Sequence, residues 1–166
     1  LEQCRRRANG MKMTMDSSLL MAFRGILSDH QADPALLAEA MILPDEDYLA
    51  EQMEVVDVDG IHAARKFIKK GLANDLSSLF TERYTALNDG LPYEKSSGAM
   101  ARRALKNVCL SYLLETPEGE SQAVAQLESS DNMTDTLAAI KGLVLLESPF
   151  ADTALSEFET RWREDA

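Results

Sequence analysis

The chain has 166 residues, 45% of them apolar, with 17 Lys and Arg against 28 Asp and Glu for a formal net charge of -11. A chain of this length buries roughly 68–70% of its unfolded surface, so it needs neither metal nor disulfide to hold a core, and its apolar content excludes an intrinsically disordered chain. No apolar run approaches the roughly 20 residues of a transmembrane helix, and an acidic chain lacks the clustered Lys and Arg of a general nucleic-acid grip. Two cysteines, Cys4 and Cys109, are too few for a disulfide framework and fit a reducing, cytoplasmic setting.

Taken in chain order, residues 1–15 show no apolar period. Arg5, Arg6 and Arg7 form a basic run, and Met11, Met13 and Met15 alternate with polar residues, so this stretch reads as a poorly ordered leader. The chain starts at Leu1 rather than Met, without a secretory signal, and is expected to be a piece of a longer protein. Residues 16–166 read as a single helical-repeat domain.

Asp16 is an N-cap candidate for a helix over 17–29, with Leu19, Leu20, Phe23, Ile26 and Leu27 on one face. Asp33-Pro34 places a cap before a proline at the first helical position, opening a short helix with Leu36, Leu37, Ala40 and Met41. Pro44 interrupts, and Asp45 starts another through Tyr48, Leu49 and Met53. The longest periodic segment covers 58–88, where Ile61, Ala64, Ile68, Leu72, Leu76, Leu79, Phe80 and Leu87 recur at helical steps. Gly71 inside it costs about 1 kcal/mol relative to Ala and makes a kink conceivable there. Asn88-Asp89-Gly90-Leu91-Pro92 is a stop.

Ser96 or Ser97 opens the next helix, with Ala101, Ala104, Leu105, Val108, Cys109, Tyr112 and Leu113 inward. Thr116-Pro117 with Glu118 and Glu120 reads as a capped start for a helix using Ala123, Val124 and Leu127. The helix over 134–147 is expected to turn Leu137, Ala138, Lys141, Val144 and Leu145 to one face. Ser148-Pro149 repeats the cap-proline device before a last helix with Leu155, Phe158 and Trp162. The sum is about eight helices with short connections, which place successive helices antiparallel. The residues imply an all-α stack of antiparallel helical hairpins without β-sheet, spaced in the range of helical repeats; the right-handed superhelix of a HEAT- or armadillo-like α-solenoid is what the family resemblance below implies for them.

The residues of common active sites are missing from this pattern. His30 and His62 do not lie one turn apart on one helix, as a helix-borne zinc pair requires. Val55-Val56-Asp57-Val58-Asp59-Gly60 resembles the middle of a calcium loop, but the first and twelfth positions fall on Val55 and Lys66, which cannot ligate; Asp57 or Asp59 is more simply a helix cap. Asn132-Met133-Thr134 fits the glycosylation triplet, but without a secretion signal this is a chance match, and Thr134 or Asn132 reads instead as the cap of the following helix. Cys109 lies on an apolar face with no nearby His to activate it. No Gly-rich phosphate loop or nucleophile elbow occurs. Catalytic, cofactor-binding and metal-binding residues are therefore all expected to be none. Two basic clusters, Lys66/Lys69/Lys70 and Arg102/Arg103/Lys106, read as solvated helix faces, with a docking surface for an acidic neighbour or a substrate carboxylate as the alternative.

Four stretches carry a family resemblance. The run from Ala101 through Arg102, Arg103, Leu105, Lys106 and Asn107 to Leu113 resembles a helix of the bacterial-type aminopeptidase N family. So does Asp131-Asn132-Met133-Thr134-Asp135 and its continuation to Ile140. Ala22-Phe23-Arg24-Gly25-Ile26-Leu27 with Asp33-Pro34-Ala35-Leu36, and Glu157-Phe158-Glu159-Thr160-Arg161-Trp162, are similar to the same family in the same order. The resemblance covers about 17–163. It implies the first part of the C-terminal helical domain of a zinc metallo-aminopeptidase, whose His-Glu-x-x-His helix, Glu ligand and Tyr lie in another domain and have no counterpart here. The implied partners are the catalytic domain of the same parent chain and, in the parent, a peptide substrate; neither nucleic acid nor membrane is expected. The implied role is a wall around the active-site channel, with zinc in the parent and no cofactor in this piece, and some apolar surface left uncovered by its absent neighbours. The alternative, from the residues alone, is a free-standing helical-repeat adaptor for a protein partner.

Overall fold

The computed structural model describes residues 1–88 and 90–163, so Asp89 of the stop signal and the last residues of the domain, 164–166, lie outside the described part. Among the described residues the chain is all helix and turn. The elements are α1 (Glu2–Ala8), α2 (Ser17–Ser28), α3 (Pro34–Ala40), α4 (Glu46–Glu51), α5 (Val58–Asp75), α6 (Ser77–Leu87), α7 (Ser97–Leu113), α8 (Gly119–Ser129), α9 (Met133–Leu145) and α10 (Ala151–Trp162). None is long and apolar enough to cross a membrane.

Short polar side chains start most of them. Asp16, Asp33 and Asp45 accept the N–H groups of Ser18, Ala35 and Tyr48 at 2.7, 2.8 and 2.7 Å. Asp57, Ser96 and Asn132 do the same for Gly60, Ala99 and Asp135. Each satisfies an N–H that has no partner in the first turn. The two proline devices work otherwise. α8 begins at Gly119 and its cap position, Glu118, makes no side-chain bond, while the Thr116 hydroxyl turns back to the Leu113 carbonyl at 2.7 Å. Ser148 accepts the N–H of Phe150 at 3.2 Å, ahead of α10 rather than within its first turn.

Three sequence expectations change. The stretch read as an aperiodic leader contains α1, which packs on α5 and buries Cys4 with Ile61 and Ala64 in a small core of its own. Its stop was visible in Asn9-Gly10: Gly10 takes φ 66° and Met11 N–H bonds the Arg6 carbonyl at 2.8 Å, a glycine-terminated helix end. The periodic run over 58–88 divides at Leu76, whose φ of -120° leaves the helical region. The apolar stripe crosses this break, so periodicity does not reveal it. α5 continues through Gly71, and the Met15 methyl lies where a side chain would stand.

The third change concerns α9. Thr136, Ala139, Ile140 and Leu143 are buried, whereas Leu137, Val144 and Leu145 are 45%, 43% and 71% exposed. The helix is apolar on several sides, so spacing cannot choose the inward face. Leu36, Tyr48 and Leu155, named among the apolar residues of their helices, are exposed as well.

α7 is the spine. It packs on α6 and α3 most extensively, and also on α5, α8 and α9, while α8 pairs with α9 and α9 with α10. The main core runs from Phe23, Leu27 and Met41 through Leu72, Phe80, Leu105 and Tyr112 to Ile140 and Leu143. Phe80 stacks on Tyr112 at 4.7 Å, and Phe23 meets Tyr112 edge-on at 5.6 Å. The result is a stack of helical hairpins, the solenoid architecture expected from the sequence.

Candidate functional site

The densest cluster of polar side chains joins α6, α7, α8 and α9. Asp135, 3% exposed, lies one turn into α9 because Asn132 caps that helix. Its carboxylate accepts from Lys106 Nζ at 2.7 Å, Asn107 Nδ2 at 2.8 Å and Asn132 Nδ2 at 3.0 Å. Gln126 of α8 donates to Asn107 Oδ1 and to the Asp135 carbonyl, both at 2.9 Å, and accepts from the Tyr84 hydroxyl at 3.0 Å. Burial, with the Asp135 charge added, pushes Tyr84 up to about 12, so this hydroxyl stays a donor. Every oxygen of Asp135 is occupied, and the cluster reads as a fastening rather than as a site awaiting a ligand.

Beside it lies a cavity of about 360 Å³ between the 90–93 segment, α7 and the 130–132 segment. Its wall includes Arg102, Arg103, Lys106 and Asp131. Arg103 spreads over the Tyr93 ring at 4.9 Å and donates to the Glu94 carbonyl at 3.1 Å. Asp131 accepts from the Tyr93 N–H at 2.7 Å, and the Asn132 side chain holds its carboxyl below the usual value. The second basic cluster is thus not a solvated face: Lys106 points inward to Asp135 and Arg103 is absorbed by its neighbours. A pairing 29 residues apart leaves no trace in local spacing.

The remaining candidates are dispersed. His30 Nδ1 is 2.6 Å from Arg83 Nη1, whose other amine donates to the Asp29 carbonyl at 2.8 Å. Arg83 is 6% exposed and ties α6 to the C-terminal end of α2, where a cation meets the negative end of the helix dipole. His62 lies against Glu46 at 3.1 Å. Cys109 is fully buried and burial raises its thiol to about 12. Among the described residues no group of three or more His, Cys, Asp or Glu could hold a metal, so the described side chains do not supply the three protein ligands of a catalytic zinc. Lys69 pairs with Glu115 at 3.4 Å, and Lys66 and Lys70 are exposed.

A polar fastening inside a stack of helical hairpins marks a domain of the helical-repeat class. Residues 1–166 match the family described as a domain of unknown function (DUF3458_C) with ARM repeats. The chain belongs to this family, and its resemblance to the helical C-terminal domain of the bacterial-type aminopeptidases N extends along nearly all of it. It is 30% identical over 162 residues to aminopeptidase N of Escherichia coli strain K12, covering 96% of this chain and 18% of that protein. It is 32% identical over 158 residues to aminopeptidase N of Haemophilus influenzae, covering 94% and 18%. Among solved structures, aminopeptidase A of Legionella pneumophila, crystallised with aspartic acid, superposes with a TM-score of 0.82 at 25% identity, over 99% of this chain and 20% of that one. The chain thus spans about a fifth of the length of the proteins it matches.

Proposed function

We propose that this chain is the non-catalytic helical wall of a zinc-dependent aminopeptidase that removes N-terminal residues from peptides. The observation that carries the reading is the similarity to aminopeptidases N along nearly the whole chain, over only 18% of their length. The catalytic domain of the same parent chain is then the packing partner, and zinc and the reacting groups belong to it. A stiff stack of hairpins set against that domain encloses the peptide channel, excludes bulk water and limits the directions from which a peptide amine approaches the metal. The unpaired, buried thiols of Cys4 and Cys109 fit a cytoplasmic protein.

Two measurements test this. The genomic sequence upstream should encode a His-Glu-x-x-His helix in the same reading frame; a stop codon directly ahead of residue 1 would favour a free-standing adaptor. The purified 166-residue chain, supplied with zinc, should not hydrolyse an aminoacyl chromogenic amide. Turnover that a chelator abolishes would refute the non-catalytic role.

A further inference from the structure

A groove of about 620 Å³ runs between the turn after α3, α5, α7 and α9. Its floor is α7, and the polar atoms of that floor are already used. Ser111 Oγ donates to the Val108 carbonyl at 2.8 Å, and the buried Tyr112 hydroxyl donates to the Met41 carbonyl at 2.6 Å. A visitor therefore meets Val108 and the apolar flanks of these side chains. Ile42 and Leu145 stand at the edges, 57% and 71% exposed.

The rims carry positive charge from two sides. α5 contributes Arg65, Lys66 and Lys69, and α9 contributes Lys141, one turn before Leu145. Two carboxylates accompany them. Glu46 pairs with Arg65 at 3.5 Å and Glu115 with Lys69 at 3.4 Å. Lys66 and Lys141 are exposed and, among the described residues, enter no ion pair. With His62 neutral, four cations against two carboxylates leave this groove at +2, in a chain of net charge -11.

We propose that this groove docks an acidic polypeptide segment, one that seats a leucine-like side chain on α7 between carboxylates facing Lys66 and Lys141. Charge complementarity selects the sign of the partner, and the apolar floor, whose one tyrosine ring is buried, selects a polypeptide over a single-stranded nucleic acid, whose bases stack on exposed aromatics. The inference stands apart from the aminopeptidase reading: it concerns the chemistry of the bound segment, which belongs to an acidic partner other than a second copy of this chain.

The probe is a fluorescein-labelled synthetic peptide repeating Glu-Leu-Glu, titrated by anisotropy against the 166-residue chain at low salt. Saturable binding is expected, weakened about tenfold or more by Lys66→Glu with Lys141→Glu and by raised salt. Arg24→Glu, an exposed charge reversal on α2, is expected to leave it unchanged, and circular dichroism checks that each variant folds. The idea fails if the peptide does not saturate, if a Lys-Leu-Lys counterpart binds as well, or if Arg24→Glu weakens binding equally. It also fails if a short oligothymidylate displaces the peptide at equal concentration. A dimer in sedimentation that the Lys66/Lys141 reversal dissociates would make a second copy the occupant and overturn the assignment.

Discussion

Removing Lys106 alone would leave the Asp135 carboxylate, whose side chain is 4% exposed, inside the protein without its cation. Lys106→Met is expected to cost about 3–5 kcal/mol in urea denaturation, because a lone buried charge is harder to hold than a pair. Combining Lys106→Met with Asp135→Asn should cost less than Lys106→Met alone, since the amide still bonds Asn107 or Asn132 and no charge remains. A double variant as unstable as the sum of the singles would show that the two residues do not act together. Cys109 gives a pH prediction. Burial raises its thiol from 9.0 to about 12, so the folded state holds this proton more tightly than the unfolded one. The stability this confers is complete below pH 9 and is lost as pH rises from 9 toward 12. Native protein at pH 8 should therefore leave Cys109 unlabelled by an aromatic disulfide reagent until urea is added. Little of this was legible beforehand. Local spacing showed that Arg102, Arg103 and Lys106 share a helix but not which of them turns inward, because the partner that decides it lies on α9.

At the scale of elements, helix starts were the most readable feature, since a cap is chosen by a few adjacent residues: Asp16, Asp33, Asp45, Ser96 and Asn132 all cap where their side-chain chemistry places them. What spacing alone could not supply was the face of α9, the division of the 58–88 run at Leu76 and the helical state of residues 2–8, each of which depends on distant packing. Two helix ends yield opposite predictions. Glu147, just past α9, takes φ 51°, a left-handed conformation that costs a side chain about 1–2 kcal/mol. Glu147→Gly should raise stability by about 1 kcal/mol in thermal denaturation; an unchanged midpoint would mean that the strain is not felt. At Gly119, where α8 starts, an added Cβ would fall on the Leu113 carbonyl. That obstacle is backbone rather than a flexible tip, so Gly119→Ala should cost about 1–3 kcal/mol through displacement of α8 from α7.

Across the whole molecule, the all-helical class was legible because helical periods and short connections recur along most of the chain, and the solenoid through the family resemblance, whereas the order of packing around α7 was not. Stability in such a stack is distributed between neighbouring hairpins rather than pooled in one centre. Hydrogen exchange should consequently be slowest in α7, which touches helices on both sides, and fastest in α4 and α10 at the flanks. Uniform exchange along the chain would contradict a graded stack. The tie running from Tyr84 through Gln126 to Asp135 and Lys106 bears on how such a stack bends. Greasy faces between helices tolerate sliding by a turn at modest expense, but a slip of α9 against α7 would strand an ammonium and a carboxylate in the dark. The middle hairpins are thereby keyed in a single register, and any breathing of the stack is left to its two ends.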